Sequence, residues 1–192
     1  MPCIIKTTPL SMIIKECIRM NTNKALFLDR DGIINIDKGY VSQKEDFEFQ
    51  KGIFELLKHA KSLGYKLLLI TNQSGINRGY YTLKDFEQLT QYLQESLFKE
   101  LGFNLDGIYF CRHAPEENCA CRKPKPSLIL QAAKEHQICL EQSFMIGDKE
   151  SDMLAGLNAK VKNNLLLIQN PLKTPHSWIQ CKDFKEMIDL IK

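Results

Sequence analysis

Short apolar runs alternate along this chain with longer stretches in which apolar residues recur every three or four positions. The runs are Lys24–Leu28, Tyr65–Ile70, Gly107–Phe110, Ser143–Ile146 and Asn164–Ile168. Nearly continuous apolarity over so few residues predicts β-strands buried on both faces. Between them, Ile53, Leu56, Leu57 and Ala60 share one face of a helix over about residues 53–63, which Gly64 stops. Phe86, Leu89, Leu93 and Leu97 form the stripe of a long helix ending at Gly102, with Thr82 as its N-cap and Asp85 three residues on. Ser127 is expected to cap a helix reaching about His136; another, after Asp148, carries Met153, Leu154 and Leu157, and a last one spans about residues 184–191. Strand and helix in alternation predict an α/β fold, a three-layer, Rossmann-like parallel sheet with helices on both faces. No segment between strands is long enough for a large cap domain.

The polar residues fall where such a sheet binds ligands, at the carboxyl ends of its strands. Asp29 and Asp31 follow the first strand, Thr71 and Asn72 the second, Arg122 and Lys123 lie beyond the third, and Asp148 follows the fourth. Outside this pattern, residues 1–23 read as an N-terminal extension to a single domain over 24–192. Charged residues break up its apolar ones, Met20 is an alternative start, and a short peripheral helix over residues 11–19 is the other reading. Residues 170–180 hold two prolines, Pro171 and Pro175, and are expected to run irregularly over the surface.

Composition narrows the possibilities. The length, 192 residues, suits one domain with a substantial core. A net charge of +3 is too small to argue for nucleic acid or an acidic membrane surface, and no basic patch with interleaved aromatics points to nucleic acid. No apolar run approaches the ~20 residues of a membrane-spanning helix. Of seven cysteines, four (Cys3, Cys17, Cys139, Cys181) are scattered, a pattern that suits a reducing, cytoplasmic setting better than a disulfide framework. A monomer is expected.

In the segment Leu26-Phe27-Leu28-Asp29-Arg30-Asp31-Gly32, an apolar run ends in two carboxylates at i and i+2. In extended chain these point to one side. Like charges about 4 Å apart repel by roughly 4 kcal/mol at an effective dielectric near 20, so a cation or a shared proton must offset them. Mg²⁺, which takes oxygen ligands, is the natural candidate; an Asp-rich turn is the alternative. Asp29 is the candidate nucleophile, by way of an aspartyl phosphate. Asp31 is the candidate acid and base. Thr71 and Lys123 are placed to meet phosphoryl oxygens, and Asp148 is a further metal ligand. Taken singly, each has a plain reading: strand-end turn chemistry for Thr71 and Asn72, a solvated lysine for Lys123, an acidic helix start for Asp148 and Asp152. Together, each at a strand end, they point to phosphoryl chemistry.

Cys111-x-His113 and Cys119-x-Cys121 supply four soft or borderline ligands within eleven residues. They fit tetrahedral zinc with every position filled by protein, hence a structural ion. The alternative is cysteines gathered incidentally around a loop. A zinc here would pin that loop so that Arg122 and Lys123 reach the site.

Asp29-Arg30-Asp31-Gly32, Thr71-Asn72-Gln73-Ser74-Gly75, Lys123, and Gly147-Asp148-Lys149 with Asp152 resemble the four motifs of the haloacid dehalogenase superfamily. The zinc cluster running into Arg122-Lys123-Pro124 is similar to its histidinol-phosphate and heptose-bisphosphate phosphatase branch. Asn35–Val41, Gly75–Tyr81 and Asp106–Tyr109 resemble the heptose-bisphosphate members. The resemblance covers about residues 24–168. It implies Mg²⁺ on Asp29, the backbone carbonyl of Asp31, and Asp148, with structural Zn²⁺ on Cys111, His113, Cys119 and Cys121. It implies substrate contacts from Asp29, Arg30, Asp31, Asp37, Lys38, Gly39, Tyr40, Thr71, Asn72, Gln73, Ser74, Arg122, Lys123 and Lys149. Arg122 is the expected reader of the phosphate that is not cleaved, where a guanidinium fork has the geometric advantage. The implied activity is removal of the 7-phosphate of a heptose 1,7-bisphosphate on the way to nucleotide-activated heptose for lipopolysaccharide or surface glycans. Histidinol phosphate is the alternative substrate. An inactive, zinc-stabilised binding protein is the alternative of another class, opposed by the presence of Asp29, Asp31 and Lys123.

Overall fold

The computed structural model describes residues 23–169 and 177–192. The expected N-terminal extension, apart from Asn23, and most of the Pro171–Pro175 stretch lie outside them. Five strands and four helices alternate: β1 Lys24–Leu28, α1 Ile53–Ser62, β2 Tyr65–Asn72, α2 Leu83–Leu101, β3 Gly107–Cys111, α3 Ser127–Glu135, β4 Phe144–Gly147, α4 Glu150–Asn158 and β5 Asn163–Leu167. A sixth strand, β6 Ile179–Cys181, and helix α5 Phe184–Leu190 follow. All neighbouring strands pair in parallel, in the order β3-β2-β1-β4-β5-β6. This is the expected α/β sheet with both faces covered, and among the described residues no insertion at its carboxyl edge forms a separate domain.

The continuous apolarity of the strands has a simple cause. In β1, Leu26 and Leu28 enter the core beneath α1, α2 and α5, while Ala25 and Phe27 enter the core beneath α3 and α4. In β2, Leu67 and Leu69 take the first side and Leu68 and Ile70 the second. Every residue of the run is therefore buried, whichever way it points. The helices bury the faces expected of them: Ile53, Leu56, Leu57 and Ala60 in α1, and Phe86, Leu89, Leu93 and Leu97 in α2. Thr82 and Asp85 form a reciprocal capping box.

Two expectations need correction. The stretch expected to be irregular up to residue 180 contributes β6, whose three residues extend the sheet beside β5. Ser127 does not cap α3; it is the first helical residue, and its hydroxyl donates to the Ala120 carbonyl at 2.7 Å, which ties the helix start to the cysteine loop. Helix α4 carries Met153, Leu154 and Leu157 as expected, and buries Asp152, Met153, Ala155 and Gly156.

Asp106 shows how the outer strands are held. Its carboxylate accepts from Lys61 of α1 at 2.8 Å, from Lys66 of β2 at 3.0 Å and from the Leu67 backbone N–H at 2.8 Å. Burial pushes its carboxyl upward, but Lys61, the Leu67 N–H and Lys66 outweigh this and hold it below the ordinary value. Asp106→Asn is expected to cost about 1–2 kcal/mol at neutral pH through weakened charge-assisted bonds. A group with a depressed folded pKa stabilises above its unfolded value, so the difference between variant and parent should be full above pH ~4 and vanish as the pH falls further. Urea unfolding across that range measures it.

Candidate active site

The carboxyl ends of β1, β2 and β4 converge on a cleft of about 300 Å³. At its floor lies Lys123, 3 % exposed. Its ammonium donates to Asp29 Oδ1, Asp152 Oδ1 and the Ile70 carbonyl, each at 2.7 Å. Two further bonds fix its backbone: Asn72 Nδ2 donates to the Lys123 carbonyl at 3.2 Å, and the Lys123 N–H donates to Asn72 Oδ1 at 3.1 Å. The end of β2 thus carries the chain that presents the lysine. Burial works against the charge on Lys123, but Asp152 and Asp29 outweigh it and hold the ammonium protonated.

The carboxylates outnumber the cations facing them. An oxygen of each of Asp29, Asp148 and Asp152 lies within 4.8 Å of the others. Lys123 takes one oxygen of Asp29 and one of Asp152, whose other oxygen accepts from the Lys149 N–H at the start of α4. Lys149 Nζ approaches Asp148 only to 3.9 Å. Burial, then the charge of Asp29, pushes the Asp148 carboxyl up to about 7, and its buried Oδ1 has no partner. Burial also raises Asp29, with Asp152 adding to the effect and Lys123 opposing it. An orphaned carboxylate oxygen beside a second carboxylate is a fitting place for a hard divalent cation. Gly32 allows this approach: its φ is +101°, and a Cβ there would overlap the Asp148 carboxylate.

Asp31 faces the cleft from another direction. Its Oδ1 accepts from Arg30 Nη2 at 3.0 Å and Asn35 Nδ2 at 3.1 Å, and its Oδ2 from Gln73 Nε2 at 2.9 Å. Arg30 is buried; it donates also to the Val41 carbonyl and lies behind Asp31. Gln73 Nε2 donates to Thr71 Oγ1 as well, and the Tyr81 hydroxyl donates to Gln73 Oε1.

Around the rim, Lys149 pairs with Asp37 at 2.9 Å. Burial alone would raise Asp37, but hydrogen bonds from Lys149 and the Gly39 N–H hold it below the ordinary carboxylate range. Arg78 donates to the Tyr40 hydroxyl at 2.9 Å and reaches Glu116 at 3.4 Å. Arg122 lines the cleft and donates to the His113 carbonyl at 3.2 Å. Lys38 points elsewhere, to Glu48 at 3.1 Å. Of the residues expected from sequence, Asp29, Asp31, Asp37, Gly39, Tyr40, Asn72, Gln73, Ser74, Arg122, Lys123 and Lys149 line the cleft. Thr71 lies beneath it, buried. Tyr81, Ser151 and Asp152 line it too and were not expected as site residues. Asp152 carried a signal, the fourth motif, but its acidic helix-start position also explained it.

Cys111, His113, Cys119 and Cys121 gather with S···S separations of 3.2–3.5 Å and S···Nδ1 separations of 3.3–3.6 Å. A tetrahedron with ~2.3 Å metal–sulfur bonds has edges near ~3.8 Å. The four side chains therefore fit a tetrahedral soft-metal site, one residue from Arg122.

Known proteins resemble this chain in sequence and in fold. The HAD-hydrolase-like family matches residues 120–168. A D-glycero-beta-D-manno-heptose-1,7-bisphosphate 7-phosphatase of Helicobacter pylori is 93% identical over 173 residues, 90% of this chain and 99% of the relative. A D-glycero-alpha-D-manno-heptose-1,7-bisphosphate 7-phosphatase of Campylobacter jejuni is 46% identical over 88% of this chain and 96% of its own. The crystal structure of the D,D-heptose 1,7-bisphosphate phosphatase of B. bronchiseptica, complexed with magnesium and phosphate, superposes with a TM-score of 0.78 at 25% identity, covering 87% of this chain and 97% of that one. The chain belongs to the D-glycero-D-manno-heptose-1,7-bisphosphate 7-phosphatase family of HAD-like hydrolases.

Proposed function

We infer that this cleft hydrolyses the 7-phosphate of D-glycero-D-manno-heptose 1,7-bisphosphate through a phosphoryl group carried on Asp29. The observation that carries the reading is the floor of the cleft, where Asp29 lies between a buried ammonium and a second carboxylate with an orphaned oxygen. Asp29 attacks phosphorus, the sugar C7 oxygen departs with a proton from Asp31, and Asp31 then takes a proton from the water that releases phosphate. Positioned acid–base help of this kind is worth roughly 10²–10⁴-fold. Lys123 and Thr71 hold phosphoryl oxygens. Asp29, the Asp31 backbone carbonyl and Asp148 would hold Mg²⁺, whose charge offsets that of the phosphoryl group and the carboxylates. Zn²⁺ on the cysteine–histidine cluster would hold the loop that ends in Arg122.

Arg122, at the cleft wall and tied by one bond to the zinc loop, is the reader of the 1-phosphate. Histidinol phosphate has no second phosphate for it to read, and the relatives' names favour the heptose substrate. The beta-anomer name belongs to the relative at 93% identity and the alpha-anomer name to one at 46%, which supports the β anomer for this chain.

Three outcomes follow. Asp29→Asn should abolish turnover with the circular dichroism of the folded protein retained and the melting temperature lowered, because a buried partner of Lys123 loses its charge; measurable steady turnover would remove Asp29 as nucleophile. Arg122→Ala should lower kcat/KM on the bisphosphate by at least about tenfold, the scale of one lost charge-assisted bond, and leave a heptose 7-monophosphate far less affected. Equal losses on both would make Arg122 a support of the loop. In parallel assays with Mg²⁺, kcat/KM should be higher for the β than for the α anomer of the bisphosphate, and higher for both than for histidinol phosphate; a preference for histidinol phosphate would overturn the substrate.

A further inference from the structure

Tyr81 is buried at the cleft wall, and its hydroxyl donates to Gln73 Oε1 at 2.6 Å. Burial pushes its phenol up to about 12, so it carries its proton under working conditions. Gln73 is also buried, 2 % exposed, and its amide nitrogen serves two acceptors, Asp31 Oδ2 and Thr71 Oγ1, each at 2.9 Å. Tyr81 comes this close because residue 75 is glycine; a Cβ there would overlap the phenol ring.

An amide presents donors on one side and an acceptor on the other, and the two ends are nearly the same shape. Turned over, Gln73 would set its oxygen against Asp31 Oδ2 and Thr71 Oγ1. The oxygen would repel the carboxylate and capture the proton whenever Asp31 carried one. It would also accept the Thr71 hydroxyl hydrogen. In the orientation seen, the amide donates to both, so the proton on Asp31 is left for the leaving group and the Thr71 hydrogen for another acceptor. The Tyr81 hydroxyl favours this orientation, because turning the amide over removes the acceptor from a buried donor.

We propose that Tyr81, through Gln73, is a positioning residue that sets an N–H donor rather than an acceptor against Asp31 Oδ2 and so aims the Asp31 carboxyl at the departing sugar oxygen. This rests on the reading of Asp31 as the acid in the proposed reaction. Arg30 Nη2 and Asn35 donate to Oδ1, and Oδ2 receives Arg30 Nε at 3.2 Å and, closer, the Gln73 amide at 2.9 Å, its one neutral donor among the described residues. No proton or electron is consumed by the arrangement; it decides only where the Asp31 proton points.

The test uses two leaving groups. Departure of a sugar alkoxide needs the proton, whereas departure of p-nitrophenolate does not, and kcat/KM covers the steps only through formation of the aspartyl phosphate. With Mg²⁺ present, kcat/KM is measured for the parent, Tyr81→Phe, Gln73→Leu and Asp31→Asn on heptose bisphosphate and on p-nitrophenyl phosphate. Tyr81→Phe keeps the ring and removes only the hydroxyl. It should lose about tenfold on the heptose bisphosphate, part of the roughly 10²–10⁴-fold available from acid–base help, and at most about twofold on p-nitrophenyl phosphate. Gln73→Leu, which also removes the donor to Thr71 Oγ1, should lose on both substrates and more on the heptose bisphosphate, at an unchanged activation constant for Mg²⁺. Should Asp31→Asn show the asymmetry while Tyr81→Phe and Gln73→Leu lose equally on both substrates, or not at all, the positioning role is wrong and the acid role stands. Should Asp31→Asn itself lose equally on both, the reading of Asp31 as acid fails.

Discussion

A single buried ammonium decides the shape of this site. Lys123 meets Asp29, Asp152 and the Ile70 carbonyl at one distance, 2.7 Å, in a place closed to water. A lone charge there would be prohibitively costly. Two carboxylates and a carbonyl make it tolerable, and they also fix it to a single position. Breaking such an arrangement by removing one partner is far more costly than the pair is stabilising, so Asp29 and Asp152 are bound to the same geometry as the lysine. The short backbone ladder through Asn72 and the loop carrying the cysteines then exist to bring residue 123 to the end of β1.

The arrangement around Lys123 leaves the opposite charge in surplus. Asp148 has a raised carboxyl, an oxygen with no partner, and a glycine opposite it that admits nothing larger. Asp31, only two residues from Asp29, is kept out of that surplus by its own set of donors: Arg30, Asn35 and Gln73. The two neighbouring carboxylates thus live in different electrostatic surroundings, one facing a buried ammonium and two further carboxylates and one facing neutral and guanidinium donors. A division of this kind lets two chemically identical groups take different parts in one reaction.

Most of this was legible in the sequence, for identifiable reasons. Strand positions, the sheet's parallel character and the carboxyl-end placement of Asp29, Thr71, Asn72 and Asp148 follow from apolar runs that end in polar residues, which is a local signal. β6 was missed because Ile179–Cys181 is only three residues long, too short for any periodicity to register. Ser127 was misread because a hydroxyl at a helix start looks like a cap, whereas its partner, Ala120, belongs to the preceding loop. Lys123 taken alone looks solvated; nothing near it in sequence says that Asp29 and Asp152 close over it. The Tyr81–Gln73 contact spans eight residues with no pattern to announce it. What the sequence conceals, in each case, is a side-chain partnership made by the loops after the strands.

The rim is built differently from the floor, and the contrast has a consequence. Lys149 with Asp37, Arg78 with Tyr40 and Glu116, and Asn77 with Glu117 are pairs in which at least one side chain is substantially exposed. Exposed pairs of this sort add little to stability. They tie the Asp37–Tyr40 loop, the Ser74–Tyr81 loop and the cysteine loop to one another weakly enough that the contacts can be exchanged without disturbing the fold. The floor cannot yield in that way, because its groups are buried and share their charges. Recognition can therefore shift with modest changes in the rim while the geometry of Asp29, Lys123 and Asp152 stays as it is. A relative 93% identical to this chain and one 46% identical to it carry names for opposite anomers of the same sugar, a kind of change that weakly held loops accommodate more readily than a buried network of shared charges.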